Sequence, residues 1–247
     1  MSERGLLVDD GVQLLDKNIK IPFIEYLFLK SSLSDTQLKK YKEGGARIGG
    51  ANWTIPGFMP IPYLAEIIDK NICSAEINAE FSKNFLKNDE EEVKKLFTSI
   101  PESLDGKYHA AFLEIKFAYE NQRYIACTAL LFPLLDGIVR DCNGYDKDGV
   151  NVEGRKAAEN GYYNAPTIDA DLKSVNIFLE NYFSTGIMPS STITKRNTIL
   201  HGESFQTDKM TCVRLLNCIR SVLSISAMVD ACAYLIEKYQ KEQGVPE

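Results

Sequence analysis

Apolar residues recur three and four apart along most of this 247-residue chain, and strand-like alternation is missing over most of its length, so the pattern predicts an all-α protein. Between Phe112 and Arg140 two helices are legible, broken near Asn121 and Gln122. The first places Phe112, Ile115, Ala118 and Tyr119 at helical spacing, and the second carries Ile125, Leu130, Leu131, Leu134, Leu135 and Ile138 on a broad apolar face. Pro133 predicts a kink or local irregularity, because proline lacks an N–H and crowds the carbonyl one turn back. Asn143 and Gly144 end that helix. Asp169 or Asp171 opens the next, with Leu172, Val175, Phe178, Leu179 and Tyr182 at helical intervals, and Thr185 and Gly186 stop it. Thr207 or Asp208 caps a final helix of roughly thirty residues. Its stripe of Val213, Leu216, Ile219, Leu223, Ala227, Ala231 and Leu235 is widened by Leu215, Val222, Ile225 and Met228, and a face that wide needs more than one neighbour. These four helices are placed near 108–120, 123–142, 169–183 and 207–240.

The connections and the first hundred residues read differently. Residues 144–167, rich in Gly, Asn, Asp and Tyr, form a long excursion with a helical turn around 156–159. After a loop at 187–191, Thr194 caps a short helix over 195–201 that Gly202 terminates. Nearer the N-terminus, helical stretches fall around 21–29, 61–70, 75–87 and 90–99. The glycine-rich run 44–53, followed by prolines at 56, 60 and 62, reads as a flexible connector; no Gly-Lys-Ser/Thr follows it, as a phosphate-binding loop requires. The division is a helical N-terminal extension or small domain over 1–100 and a helical bundle over 101–247.

Composition narrows the class of function. Hydrophobic residues make up 45% and charged residues 25%, ordinary for a folded globular chain. No apolar run is long enough to span a bilayer and the start is too acidic for a signal peptide, so the expectation is a cytoplasmic protein with no membrane contact. A net charge of -6 argues against a chain coated in nucleic acid but leaves room for a local basic site, and Lys195, Arg196, Arg214 and Arg220 are close together in sequence. The acids Asp89, Glu90, Glu91 and Glu92 suit a helix N-terminus. None of the six cysteines (73, 127, 142, 212, 218, 232) makes a Cys-x-x-Cys pair, so they read as buried free thiols. His109 reads as a helix-start residue half packed against the bundle, not as a zinc ligand.

The second histidine sits in the run Lys195-Arg196-Asn197-Thr198-Ile199-Leu200-His201-Gly202. Histidine can take and give a proton near neutral pH, and arginine is the planar cation that best matches a phosphate. Together they suffice to cleave a phosphodiester without a metal. At about 100° per residue Asn197 and His201 share a helical face, while Arg196 and His201 are about 140° apart, so the arginine must reach round or the helix must end before His201.

This run resembles the signature of the HEPN superfamily: an arginine, usually a polar residue next, then a histidine after four to six intervening positions, set in an all-helical bundle. The match is Arg196, Asn197 and His201, and the resemblance covers about residues 105–243. It implies a HEPN-like four-helix bundle with an additional helical N-terminal region, acting as a metal-independent endoribonuclease. In such enzymes two copies of the motif face each other across a homodimer, and the RNA's own 2'-hydroxyl attacks, leaving a 2',3'-cyclic phosphate and a 5'-hydroxyl. Carried onto this chain, His201 is the acid/base group, Arg196 holds the scissile phosphate and Asn197 positions the imidazole. Lys195, with Asp136 and Arg140 one turn apart on the second bundle helix, are candidates for the substrate side; Asp136 and Arg140 equally have the spacing of a plain ion pair. The implied partners are RNA, a second copy of the chain, and an antitoxin or sensor protein, with no cofactor and no metal. The implied setting resembles that of bacterial toxins and abortive-infection proteins of phage defence. Members adenylylated by a partner nucleotidyltransferase carry a tyrosine two positions after the histidine, where this chain has Glu203. The alternative is a non-catalytic HEPN-like binding or assembly module.

Overall fold

The computed structural model describes residues 34–143, 166–183, 199–200 and 207–242, with side chains described over 34–141, 170–182, 199–200 and 207–227. Among the described residues the secondary structure is helical throughout, as the periodicity predicts. The helices are α1 (Asp35–Gly50), α2 (Pro62–Asp69), α3 (Ser74–Ser103), α4 (His109–Glu120, entered through a 3-10 turn at Gly106–Tyr108), α5 (Tyr124–Asn143), α6 (Pro166–Phe183) and α7 (Lys209–Glu242). The sequence expectations at 21–29, 156–159, 187–191, Thr194 and Gly202 lie outside the described residues.

The glycine-rich run is not a connector. Gly44, Gly45, Gly49 and Gly50 are inside α1, which Ser34 starts with a capping box to Gln37. The reason lies in packing: a Cβ at Gly44 would run into the Leu64 backbone of α2, and one at Gly45 into the Ala170 backbone of α6. Four glycines cost helix propensity, on the order of 1 kcal/mol each, and in exchange α1 lies backbone to backbone between two helices. The α1–α6 pairing is the most extensive among the described helices.

Three helix ends use one device. After α1, α2 and α4 the chain turns through a left-handed residue, Asn52 (φ 62°), Asn71 (φ 50°) and Gln122 (φ 58°). In each case the next residue's N–H reaches back five positions: Trp53 to Ile48 O (3.1 Å), Ile72 to Ile67 O (3.0 Å) and Arg123 to Ala118 O (2.8 Å). These are Schellman stops, which satisfy the last carbonyls of each helix. The break read at Asn121 and Gln122 is therefore real.

Helix α3 is two helices joined by a turn: Lys87 is extended and Asn88, Asp89 and Glu90 are all left-handed. The acids of this run accordingly sit at the start of the second half, as their macrodipole preference suggests. Glu90 fastens the turn, accepting from the Tyr119 hydroxyl at 2.8 Å and from the Lys209 ammonium. Helix α5 continues through Pro133, which sits on its exposed side.

One apolar core joins all of these elements. Trp53 stacks on Phe85 and meets Phe81 edge-on; Phe178 stacks on Tyr182, which tilts against Phe132. Helix α7 packs on α5, α3 and α6, and α4 packs on α5. The stretch Lys209–Ala227 is, by length and apolar composition, sufficient to cross a bilayer, contrary to the sequence expectation. Its apolar side chains are instead core: Val213, Leu215, Leu216 and Ile219 are fully buried within one chain. Part of the wide face thus finds its second neighbour in α3, from the first hundred residues.

Candidate functional site

The four motif residues Lys195, Arg196, Asn197 and His201 lie outside the described residues. Between them, Ile199 and Leu200 are helical; Ile199 is buried in the common core and Leu200 is 43% exposed. One residue of the motif run therefore anchors it, and the next faces outward. On the C-terminal side, Thr207 is tied to α5 by a 2.8 Å hydroxyl contact with buried Thr128, and Asp208 caps α7 by accepting from the Thr211 N–H at 2.7 Å. The expected cap at Thr207 or Asp208 is thus Asp208.

The structure brings Asp136 and Arg140 together, with Arg140 Nη2 3.0 Å from Asp136 Oδ2. This is the i,i+4 ion pair on α5 that their spacing allows, and it ties Arg140's charge to a neighbour on its own helix.

Arg214 and Arg220 do not form a basic patch. Arg214 Nη2 donates to Asn78 Oδ1 at 3.0 Å, its guanidinium lies 5.2 Å from the centre of the Trp53 ring, and it donates to the Tyr182 phenol. Trp53 Nε1 donates to the same Asn78 oxygen at 2.7 Å. One turn on, Asn217 Nδ2 donates to Thr54 O (2.9 Å) and Oγ1 (2.7 Å), and Ser221 Oγ donates to Thr54 Oγ1 (3.0 Å). Arg214, Asn217 and Ser221 therefore make a buried polar stripe that docks residues 53–54 and 78 on α7. Among the described residues Arg214 Nε and Asn217 Oδ1 have no hydrogen-bond partner. Arg220 shares its surroundings with Asp171 of α6 and Glu92 of α3, and its guanidinium lies against Gly57, where a Cβ would stand 2.5 Å from Cζ. Burial raises the Asp171 carboxyl to about 7, with Arg220 opposing the rise. The sequence signal for this stripe is its spacing: Arg214, Asn217 and Ser221 fall at i, i+3 and i+7, one face of a helix that otherwise reads as apolar.

Cysteine chemistry is split. Cys127, Cys212 and Cys218 are buried free thiols as expected, whereas Cys73 is exposed at the N-cap of α3. Cys212 Sγ lies 3.3 Å from Thr128 Oγ1 and donates to the Tyr124 carbonyl at 3.6 Å, inside the first turns of α5. The neighbouring Cys212 and burial together hold the Cys127 thiol far above the ordinary range. His109 begins α4, exposed rather than half packed, with Nε2 3.1 Å from Leu104 O. Among the described residues no three His, Cys, Asp or Glu side chains converge as metal ligands would.

Comparison with protein-family models, curated proteins and solved structures finds no match to the chain.

Proposed function

We propose that this protein is a metal-independent endoribonuclease of HEPN type, with the helices α4–α7 as its bundle and Arg196, Asn197 and His201 as its catalytic residues. The observation that carries the reading is the Arg196-Asn197-x3-His201 spacing within an all-α chain. The motif run, anchored at Ile199, precedes a helix, α7, that packs on α5 and α6. The imidazole of His201 carries the proton lost by the attacking 2'-hydroxyl to the leaving 5'-oxygen; Arg196 holds the phosphate as its charge grows; Asn197 fixes the imidazole. The site is shared between two copies of the chain, and the biological role is that of a toxin or phage-defence effector restrained by an antitoxin or sensor.

The test is incubation of purified protein with total cellular RNA in EDTA, followed by mapping of the new ends. Cleavage that leaves 2',3'-cyclic phosphates, and that stops when the 2'-hydroxyl at the scissile position is removed, supports the reading. His201→Ala and Arg196→Ala should each lower the rate by about 100- to 10,000-fold with the fold intact, and Asn197→Ala less. RNA left uncut by wild-type protein under every condition, with the alanine changes altering only partner affinity, would instead establish a binding or assembly module.

A further inference from the structure

Helix α4 is apolar on two faces. Phe112, Ile115, Ala118 and Tyr119 are buried in the core. Leu113 and Phe117, one turn apart, point the other way at 66% and 52% exposure, the two highest values for a large apolar side chain among the described residues. Beside them on α5, Leu130 is 38% exposed, on the helix face that carries Gly137, which lies against the Tyr108 ring at the entry to α4. Single exposed leucines are ordinary on a monomer, whereas adjacent ones on neighbouring helices form a patch. Two charges of opposite sign frame it. Glu114 is exposed next to Leu113, and the Arg123 guanidinium lies 5.6 Å from the centre of the Phe117 ring. Neither has an ion-pair partner among the described residues, whereas Lys116 and Glu120 on the same helix meet each other at 3.9 Å.

We propose that the outward face of α4, with Leu113 and Phe117 at its centre, is the surface on which a second copy of this chain docks, α4 against α4, antiparallel about a two-fold axis. Leu113 of each copy then lies on Phe117 of the other, and Glu114 comes level with the Arg123 guanidinium that covers that ring. The charges select this occupant. A patch that carries one unpaired carboxylate and one unpaired guanidinium is complementary to itself when turned about a two-fold axis, whereas an acidic or a basic partner would satisfy one charge and repel the other. The two-fold also doubles every contact, so both Phe117 rings leave water at the centre of the interface, where binding energy concentrates. The surface goes beyond the nuclease reading: it follows from exposure and charge on α4 and holds whether or not RNA is cut.

The experiment is sedimentation equilibrium of the full chain under reducing conditions, with no RNA present, so that its outcome is separate from any ribonuclease assay. Wild-type protein should be a dimer. Phe117→Asp, at an exposed position that leaves the core intact, should weaken the dimer by about 100-fold or more, with an unchanged melting curve for the dilute protein. Glu114→Arg and Arg123→Glu should each weaken it by about threefold to tenfold, because each sets like charges against one another twice. The double variant Glu114→Arg with Arg123→Glu exchanges the two charges and should return the dissociation constant to within about threefold of wild type. That rescue reads the antiparallel arrangement directly, and it uses only exposed side chains, so it stands even if Phe117→Asp fails to fold. A wild-type monomer up to submillimolar concentration, a Phe117→Asp dimer as tight as wild type, or a double reversal no tighter than the single ones would each overturn the proposal.

Discussion

A single carboxyl illustrates how burial decides chemistry in this protein. Asp171 is inside the helix layer, its main-chain carbonyl taken by Ser174 Oγ at 2.8 Å and its carboxyl in the field of Arg220. Desolvation outweighs that cation and raises the group from 3.8 to about 7. Because the folded state holds the proton more tightly than the unfolded state, stability is greatest below the unfolded value. It falls as pH rises through the interval up to about 7, then stays level. A rise of that size corresponds to roughly 4 kcal/mol between the two ends of the interval. Asp171→Asn should therefore stabilise the protein by up to roughly 4 kcal/mol at pH 8 and leave it nearly unchanged near pH 4, read by urea unfolding at both values. Equal effects at the two pH values would show that the carboxyl is not proton-bound in the fold.

Helix boundaries carry the next level of information. Where an amphipathic period was clean, as in α4 and α5, the sequence marked the elements to within a few residues, since apolar spacing and burial are the same physical fact. It failed at α1, because Gly44, Gly45 and Gly49 disfavour a helix locally and only contact with Leu64 and Ala170 makes them favourable. The polar stripe of α7 is not legible from spacing alone either, since Arg214 reads as part of a local basic cluster until Asn78 supplies its partner, with Thr54 beside Asn217. The motif residues themselves were legible as chemistry, while their arrangement depends on a fold that residue spacing alone does not specify. The stop after α4 permits a sharper test. Gln122 is exposed and left-handed with no glycine's freedom, which costs about 1 kcal/mol relative to glycine. Gln122→Gly should raise the melting temperature by a few degrees, whereas Gln122→Ala should not. Destabilisation by glycine would mean that the side chain, not the backbone, holds this turn.

At the scale of the whole molecule, the first hundred residues and the bundle after them complete one another's interiors. Helix α1 covers α6, with its glycines against the α6 backbone, and α3 covers α7. The contacts are chemically specific: Trp53 and Asn78 receive Arg214, and Thr54 receives Asn217 and Ser221, so removing the N-terminal half leaves buried polar groups unpaired as well as apolar faces bare. A boundary near residue 100 would then divide a core, not a linker. We expect residues 105–247 expressed alone to bind a hydrophobic dye and to melt without a cooperative transition, and co-expression with residues 1–104 to restore one sharp transition. Trp53→Ala in the full chain should act in the same direction but less severely, by about 3 to 5 kcal/mol, since it empties the aromatic stack without removing α1 or α3. Were the isolated bundle to melt cooperatively within a few degrees of the whole protein, the N-terminal region would be an appendage. Any ribonuclease activity would then survive without it; if the core is shared, activity and fold should be lost together.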